Sequence, residues 1–219
     1  MQYLDVNDAY IMQRRFADAL PDVCGWKLGG SNTLTRDLFE VTEPYFGFLR
    51  EGQIFGAGYR PSAALKLNTF EVEICVRVPP NYCHSNIYST EEIQTWDACM
   101  GLEFPETQIV DLPGKGVAHL IADNCAAGAL FVSETTFDLW QGTSIEVSID
   151  GVQVTEEIDL ISDASQIVSQ FLDITKKRGF SIEPGQIIAT GGITKLLTLE
   201  KGQIISITNK SELVLEFSK

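Results

Sequence analysis

Histidine is nearly absent from this 219-residue chain, which has only His84 and His119, and neither sits in a recognisable catalytic pattern. That scarcity sets aside His-rich zinc sites and leaves a cysteine nucleophile without an imidazole base. The five cysteines (24, 75, 83, 99 and 125) are odd in number and include no C-x-x-C pair, which suits reduced thiols better than a disulfide framework. Basic residues are few. Sixteen Lys and Arg stand against 30 Asp and Glu, a net charge of −14, and this argues against nucleic acid or an anionic membrane surface as partner. No apolar run approaches the roughly 18 residues of a membrane span. The start, Met1-Gln2-Tyr3-Leu4-Asp5, lacks the basic and apolar stretches of a signal peptide, so a cytoplasmic location is expected. No Pro/Ser-rich linker, charge run, internal repeat or low-complexity tract divides the chain. Residues 1–219 read as one domain, with an N-terminal helix and loop segment over 1–50 and a β-rich core over 51–219.

Carboxylates are abundant, and two of them carry the most informative spacing. Glu71 and Glu73 are separated by one residue within Lys66–Val78, and Glu103 follows thirty positions later. Strand side chains alternate faces, which puts Phe70, Val72, Ile74, Val76 and Val78 on one side and Glu71, Glu73, Cys75 and Arg77 on the other. At roughly 3.3 Å per residue the two acids' Cα atoms lie roughly 7 Å apart. Two carboxylates at that separation can close on one hard cation needing oxygen ligands at about 2.0–2.6 Å, and a third from elsewhere would complete the site. The same alternation also describes a half-exposed strand with a charged solvent face, and spacing alone leaves both readings open.

E-x-E on a strand, then a lone Glu about thirty residues on, resembles the metal triad of the fumarylacetoacetate hydrolase superfamily, in particular its 2-oxopent-4-enoate hydratase and 4-oxalocrotonate decarboxylase branch. The resemblance runs through Asp8-Ala9-Tyr10-Ile11-Met12-Gln13, Gly25-Trp26-Lys27-Leu28-Gly29, Glu43-Pro44-Tyr45-Phe46-Gly47, Glu71-Val72-Glu73, Glu103-Phe104-Pro105-Glu106-Thr107-Gln108-Ile109, Ala122-Asp123-Asn124, and Pro184-Gly185-Gln186 leading to Thr190-Gly191-Gly192-Ile193-Thr194. These seven segments in register cover nearly the whole chain. The resemblance implies an α+β fold, a rolled mixed β-sheet with flanking helices, which periodicity alone does not distinguish from other α+β arrangements. It also implies Glu71, Glu73 and Glu103 as ligands of Mg²⁺ or Mn²⁺, the ions an all-carboxylate set favours. Lys27 is implied as a catalytic contact to substrate, and Gly29, Asp123, Asn124 and Thr194 as lining the substrate.

The pattern predicts a helix over residues 7–20 with Ala9, Met12, Phe16 and Leu20 on its buried stripe, stopped by Pro21. Gly25–Gly30 reads as a strand and turn. Ser89-Thr90-Glu91-Glu92 has capping-box spacing and opens a predicted helix carrying Ile93, Trp96 and Met100 to a stop at Gly101. Asp163–Arg178 is a further helix, with Ile167, Val168, Phe171 and Leu172 inward and Gly179 as terminator. Short strands punctuated by Pro184-Gly185, Gly191-Gly192 and Lys201-Gly202 then close the C-terminal third as a mixed or antiparallel sheet.

Departures from the family pattern bear on the chemistry. Relatives of this branch carry a longer helical N-terminus before the segment that begins here at Asp8. Tyr45 stands where many relatives have an aspartate, which replaces a proton-moving acid by a phenol with an ordinary pKa near 10. Glu106-Thr107-Gln108 replaces D-S-R, which removes an arginine and leaves Glu106 as a proton-relay candidate beside Tyr45. The expectation is a divalent-metal hydratase, a lyase of aromatic-compound catabolism adding water to a small 2-hydroxy-dienoate or 2-oxo-enoate, working as a homo-oligomer. A 2-oxo acid decarboxylase or acylpyruvate hydrolase of the same superfamily is the alternative, although no histidine precedes Lys27 to activate a hydrolytic water. A catalytically silent relative that binds metal and an oxo acid is a third reading. In a protein this acidic, an anionic substrate must be captured locally, by the metal and by Lys27.

Overall fold

The computed structural model describes the chain except residues 1–3, 21, 57, 61–64, 135–142, 156–157, 161–162, 210–211 and 219. Helix α1 (Val6–Asp18) is followed by β1 (Val23–Gly29), α2 (Thr33–Phe39), β2 (Tyr45–Arg50), β3 (Ile54–Gly56) and β4 (Thr69–Arg77). Then come α3 (Thr90–Ile93), β5 (Ala98–Phe104), α4 (Leu112–Lys115), α5 (Val117–Ala122) and β6 (Ala129–Val132). The C-terminal part holds β7 (Thr143–Ile149), β8 (Val152–Gln153), β9 (Ile158–Leu160), α6 (Asp163–Arg178), β10 (Ile187–Gly192), β11 (Leu197–Thr198), β12 (Ile204–Asn209) and β13 (Glu212–Ser218).

The main sheet runs β2-β1-β10-β4-β5-β6-β3, with β11 added to β4, and a second sheet runs β13-β12-β7-β8 with β9 on β7. β1–β10 and β3–β6 are parallel and the other pairs antiparallel, which makes the sheet mixed. It also rolls. A Cβ added to Gly25 in β1 would lie 2.7 Å from Ile54 Cδ1 in β3, although the two strands stand near opposite ends of the strand order. The concave side is therefore too narrow for a side chain at Gly25, and at Gly101 an added Cβ would meet Cys75 Sγ at 2.5 Å. Because β1 and β2 belong to this sheet, residues 23–50 are not a helix-and-loop preface to the β-rich part.

The convex side carries the main core. Trp26 meets the rings of Phe46, Phe171 and Phe180 at centroid distances of 5.7, 5.7 and 5.9 Å, and its indole N–H donates to Gln186 Oε1 at 2.8 Å. Helix α6 supplies Ile167, Val168, Phe171 and Leu172 to this core and ends at Gly179 with φ +74°, the left-handed stop that glycine takes without steric cost.

Two expected elements differ. In α1 the buried residues are Ala9, Tyr10 and Gln13, while Met12 and Phe16 are 42% and 59% exposed. Gln13 is drawn inward because its amide donates to the carbonyls of Phe46 (2.7 Å) and Ile121 (3.2 Å), so backbone carbonyls needing a donor, not apolar periodicity, set the helix's rotation. The capping box at Ser89 and Glu92 is present, with Ser89 N–H donating to Glu92 Oε2 at 2.8 Å and Glu92 N–H to Ser89 Oγ at 3.2 Å. The helix nevertheless ends at Ile93, and Met100 and Gly101 lie in β5. Cross-strand pairing of β5 with both β4 and β6 overrides the weak helical period there.

Candidate metal centre on the concave face

Strand alternation builds this site. Trp26 and Leu28 anchor one face of β1 in the convex core, so Lys27 between them projects into the roll. In β4, Phe70, Val72 and Ile74 occupy the convex side, which turns Glu71 and Glu73 inward. In β5, Leu102 and Phe104 do the same for Glu103. The register pairs Glu71 with Glu103 and Glu73 with Gly101. Arg77 N–H donates to Asp97 O at 2.8 Å, and since hydrogen-bonded pairs recur at every second rung, Glu71–Glu103 is such a pair, with Cα atoms about 5.5 Å apart. Gly101, opposite Glu73, adds no side chain between the two acids.

Three carboxylates converge as a result. One oxygen from each of Glu71, Glu73 and Glu103 lies within 4.8 Å of the others. Glu73 and Glu103 are wholly buried. Glu73 Oε2 accepts from Gly191 N–H at 2.9 Å, yet Glu73 Oε1 and both Glu103 oxygens have no hydrogen-bond partner. Lys27 Nζ stands 3.2 Å from Glu103 Oε1 as a buried ion pair that favours the charged carboxylate. Buried carboxylate oxygens without partners cost several kcal/mol, and one ammonium cannot balance three carboxylates. A divalent cation fits this donor set in charge, in hardness and in the number of free oxygens.

The electrostatics follow from crowding. Burial, with Glu103 beside it, pushes Glu73 well above the usual carboxylate range. Burial raises Glu103 to about 6 against the pull of Lys27, and it raises Glu71 also. For Lys27 burial works to lower the pKa, but Glu103, Glu73 and Glu71 together outweigh it and the net shift is upward. In the metal-free site the three acids therefore hold Lys27 as a cation rather than as a depressed, proton-shuttling amine.

The remaining expected residues are spread more widely. Tyr45 is buried, with its ring against Gly29, where a Cβ would come 2.2 Å from Tyr45 Cε2. Its phenol is raised, first by burial, and feels both Lys27 and Glu71. Thr194 is buried, and its Oγ1 accepts from Val72 N–H at 3.0 Å, which ties the segment after β10 to the ligand strand. Asn124 grips β2: its Oδ1 accepts from Phe48 N–H at 2.8 Å and its Nδ2 donates to Phe48 O at 2.9 Å, leaving its amide engaged with backbone. Asp123 accepts from the Thr107 hydroxyl. Glu106 is exposed and pairs with Lys66 at 2.7 Å, outside the group of charges that act on Lys27.

Sequence reasoning missed two contributors. Gly191, at φ +96°, presents its N–H to Glu73, and its neighbour Gly192 passes so close that a Cβ there would fall 2.8 Å from Glu71 Cδ. The Gly191-Gly192 pair was the available signal. Cys125, a thiol that burial pushes up to about 12 and so keeps neutral, lies in a turn where Asn124, Cys125 and Ala126 have φ of 54°, 55° and 54°. Nothing in Cys or Ala announces a left-handed backbone, which costs such residues roughly 1–2 kcal/mol each.

No protein-family model matches the sequence, and no curated protein matches it. Solved structures do match. The 4-oxalocrotonate decarboxylase from Pseudomonas putida G7 complexed with magnesium and adipate superposes with a TM-score of 0.81 at 20% identity, covering 98% of this chain and 86% of that one. The same enzyme with calcium and acetate gives 0.79 at 19% identity, over 98% and 85% of the two chains. The chain has the fumarylacetoacetate hydrolase fold. Fumarylpyruvate hydrolase from Pseudomonas aeruginosa, in complex with Mn²⁺ and pyruvate, shares that fold at a TM-score of 0.59 and 15% identity, over 90% of each chain. Among the described residues no helix is long and apolar enough to cross a membrane.

Proposed function

We propose that this protein is a divalent-metal enzyme acting on a small 2-oxo or 2-hydroxy-dienoic acid, with hydration of the activated double bond as its reaction. The observation that carries the reading is the convergence of Glu71, Glu73 and Glu103, the last two wholly buried, with one ammonium, Lys27, against three carboxylates and Glu73 Oε1 and Glu103 Oε2 left without a partner. Two structures with the same fold add support, one holding magnesium and adipate and the other Mn²⁺ and pyruvate. Bound to the three glutamates, Mg²⁺ or Mn²⁺ supplies Lewis acidity toward the carboxylate and 2-oxo oxygen of a substrate.

The chain's own residues do the rest. Lys27, buried beside the three acids, holds a substrate oxygen and stabilises negative charge developing there. Tyr45, a neutral phenol, donates a hydrogen bond and cannot serve as a base near pH 7. Gly191 fixes the Glu73 carboxylate by its N–H. Glu71, less buried than the other two acids, borders the space a ligand enters. Decarboxylation of a 2-oxo acid is the second reading, favoured by the full-length superposition on the decarboxylase. It needs the same carboxylate trio and cation, and no separate base.

Incubating the Mg²⁺-loaded protein with 2-hydroxypenta-2,4-dienoate, oxaloacetate and an acylpyruvate, and following ultraviolet absorbance, separates hydration, decarboxylation and hydrolysis. Lys27→Ala is expected to lower turnover on the accepted substrate by about 10²–10³-fold while leaving Mn²⁺ bound. Absence of turnover on all three, with metal bound, would favour the silent metal and oxo-acid binding relative.

A further inference from the structure

The concave face does not end at the carboxylates. Two residues beyond Glu73 on β4 stands Cys75, and directly across the ladder on β5 stands Cys99. The rung is one of the hydrogen-bonded pairs fixed by Arg77 N–H donating to Asp97 O. Its Cα atoms are therefore about 5.5 Å apart, inside the 4.4–6.8 Å that disulfides span. Both side chains point into the roll, where Leu49, Leu130, Val132, Ile187 and Ala189 surround them. Cys75 Sγ leans over Gly101, where an added Cβ would meet it at 2.5 Å, so a glycine leaves the room a χ1 rotation toward Cys99 needs. Cys75 is fully buried, whereas Cys99 is 8% exposed and lines a cavity of about 290 Å³ with Arg77, Asp97 and Ser133. Of the pair, only Cys99 borders a space that a small oxidant could enter.

We propose that Cys75 and Cys99 are a modification site, a dithiol that hydrogen peroxide converts to a cross-strand disulfide. The Cys99 thiolate attacks one peroxide oxygen; the O–O bond breaks, Cys99 becomes a sulfenic acid and hydroxide leaves. The Cys75 sulfur then attacks the Cys99 sulfur, the S–S bond forms, the S–O bond breaks, and the departing hydroxide takes a proton as water. Two thiols lose two electrons and two protons, and one peroxide becomes two waters. The neighbouring Cys75 thiol and, next, Arg77 favour the Cys99 thiolate against burial, in keeping with Cys99 as the attacking partner. This proposal goes beyond the metal reading and does not depend on it.

The test uses the full chain carrying Cys83→Ser, because Cys83 is exposed and falls in the same tryptic peptide as Cys99. After brief hydrogen peroxide treatment the protein is denatured, alkylated and digested without reductant. The expected result is loss of two hydrogens from the intact chain and a peptide of residues 67–77 linked to that of residues 78–115, released by dithiothreitol and absent from Cys75→Ala. Full alkylation of both cysteines, oxidation of Cys99 to sulfinic acid with Cys75 still free, or linkage to Cys24 or Cys125 would each overturn the proposal. The peptide map of the Cys83→Ser chain decides this even if Cys75→Ala fails to fold.

Discussion

On the convex side of β4 and β5, Phe70, Val72, Val76, Met100, Leu102 and Phe104 are wholly buried, and on the concave side of the same strands Glu73 and Glu103 are buried to the same degree. Water has left both faces. On the first its departure is favourable, about 25 cal/mol for each Å² of apolar surface; on the second it leaves carboxylate oxygens with no donor. Equal burial therefore has opposite energetic signs within one ladder, and the unfavourable face is where a ligand can supply what the protein lacks. The arrangement resembles strain held at a functional site and offset by the packing behind it.

The largest effect that would test this contrast is on the favourable face. Phe104→Ala, which removes a ring packed against Phe70, Phe131 and Phe217, is expected to destabilise the metal-free protein by about 3–5 kcal/mol, read from urea denaturation. A loss under about 1 kcal/mol would mean the convex core is not what offsets the acids. On the opposite face, Glu73→Ala is expected to weaken Mn²⁺ binding in calorimetric titration by at least about 100-fold, the upper end of what losing a residue that only supports a metal ligand costs. Unchanged affinity would break the comparison outright, because the acids would then be unsatisfied for no reason.

The pH dependence of stability sharpens it further. Glu103 titrates at about 6 in the folded chain against an ordinary 4.5. Between those values the unfolded chain has already released its proton while the folded one holds it. Stability of the metal-free protein should then fall as pH rises through that window, by about 2 kcal/mol from Glu103 alone, with Glu71 and Glu73 acting in the same sense. Thermal melts at pH 4.5 and 7, with and without Mn²⁺, check this; the metal should raise the melting temperature more at pH 7. A metal-free protein more stable at pH 7 than at pH 4.5 would contradict it. The smallest effect is at Tyr45. Tyr45→Phe removes one donor, worth about 0.5–1.5 kcal/mol, so turnover should fall by no more than about tenfold, and a larger loss in steady-state kinetics would give the phenol a proton-transfer role it lacks here.

Much of this was legible from residues in order. The E-x-E alternation and the helix at Asp163–Arg178 with its Gly179 stop rest on local rules of period and capping, which are written in neighbouring residues, whereas Lys27 stood out only through the family resemblance. The concave face was not legible as a buried one, because alternating acids on a strand look the same whether they face solvent or a closed roll. The inward turn of α1 was misjudged for a related reason. Gln13 is polar by itself, and only the carbonyls of Phe46 and Ile121, 33 and 108 residues away, make it a core residue.

By itself the sequence determined which residues alternate along β4, where the long helix begins and ends, and that carboxylates rather than imidazoles would make any metal site. Only the tertiary structure decided that Glu71 faces Glu103 across a rung, that Lys27 arrives from another strand at 3.2 Å, and that its pKa rises rather than falls. The physical reason is that face alternation is a property of one strand, whereas charge, desolvation and coordination depend on the distances between strands, and those are fixed only when the sheet rolls closed.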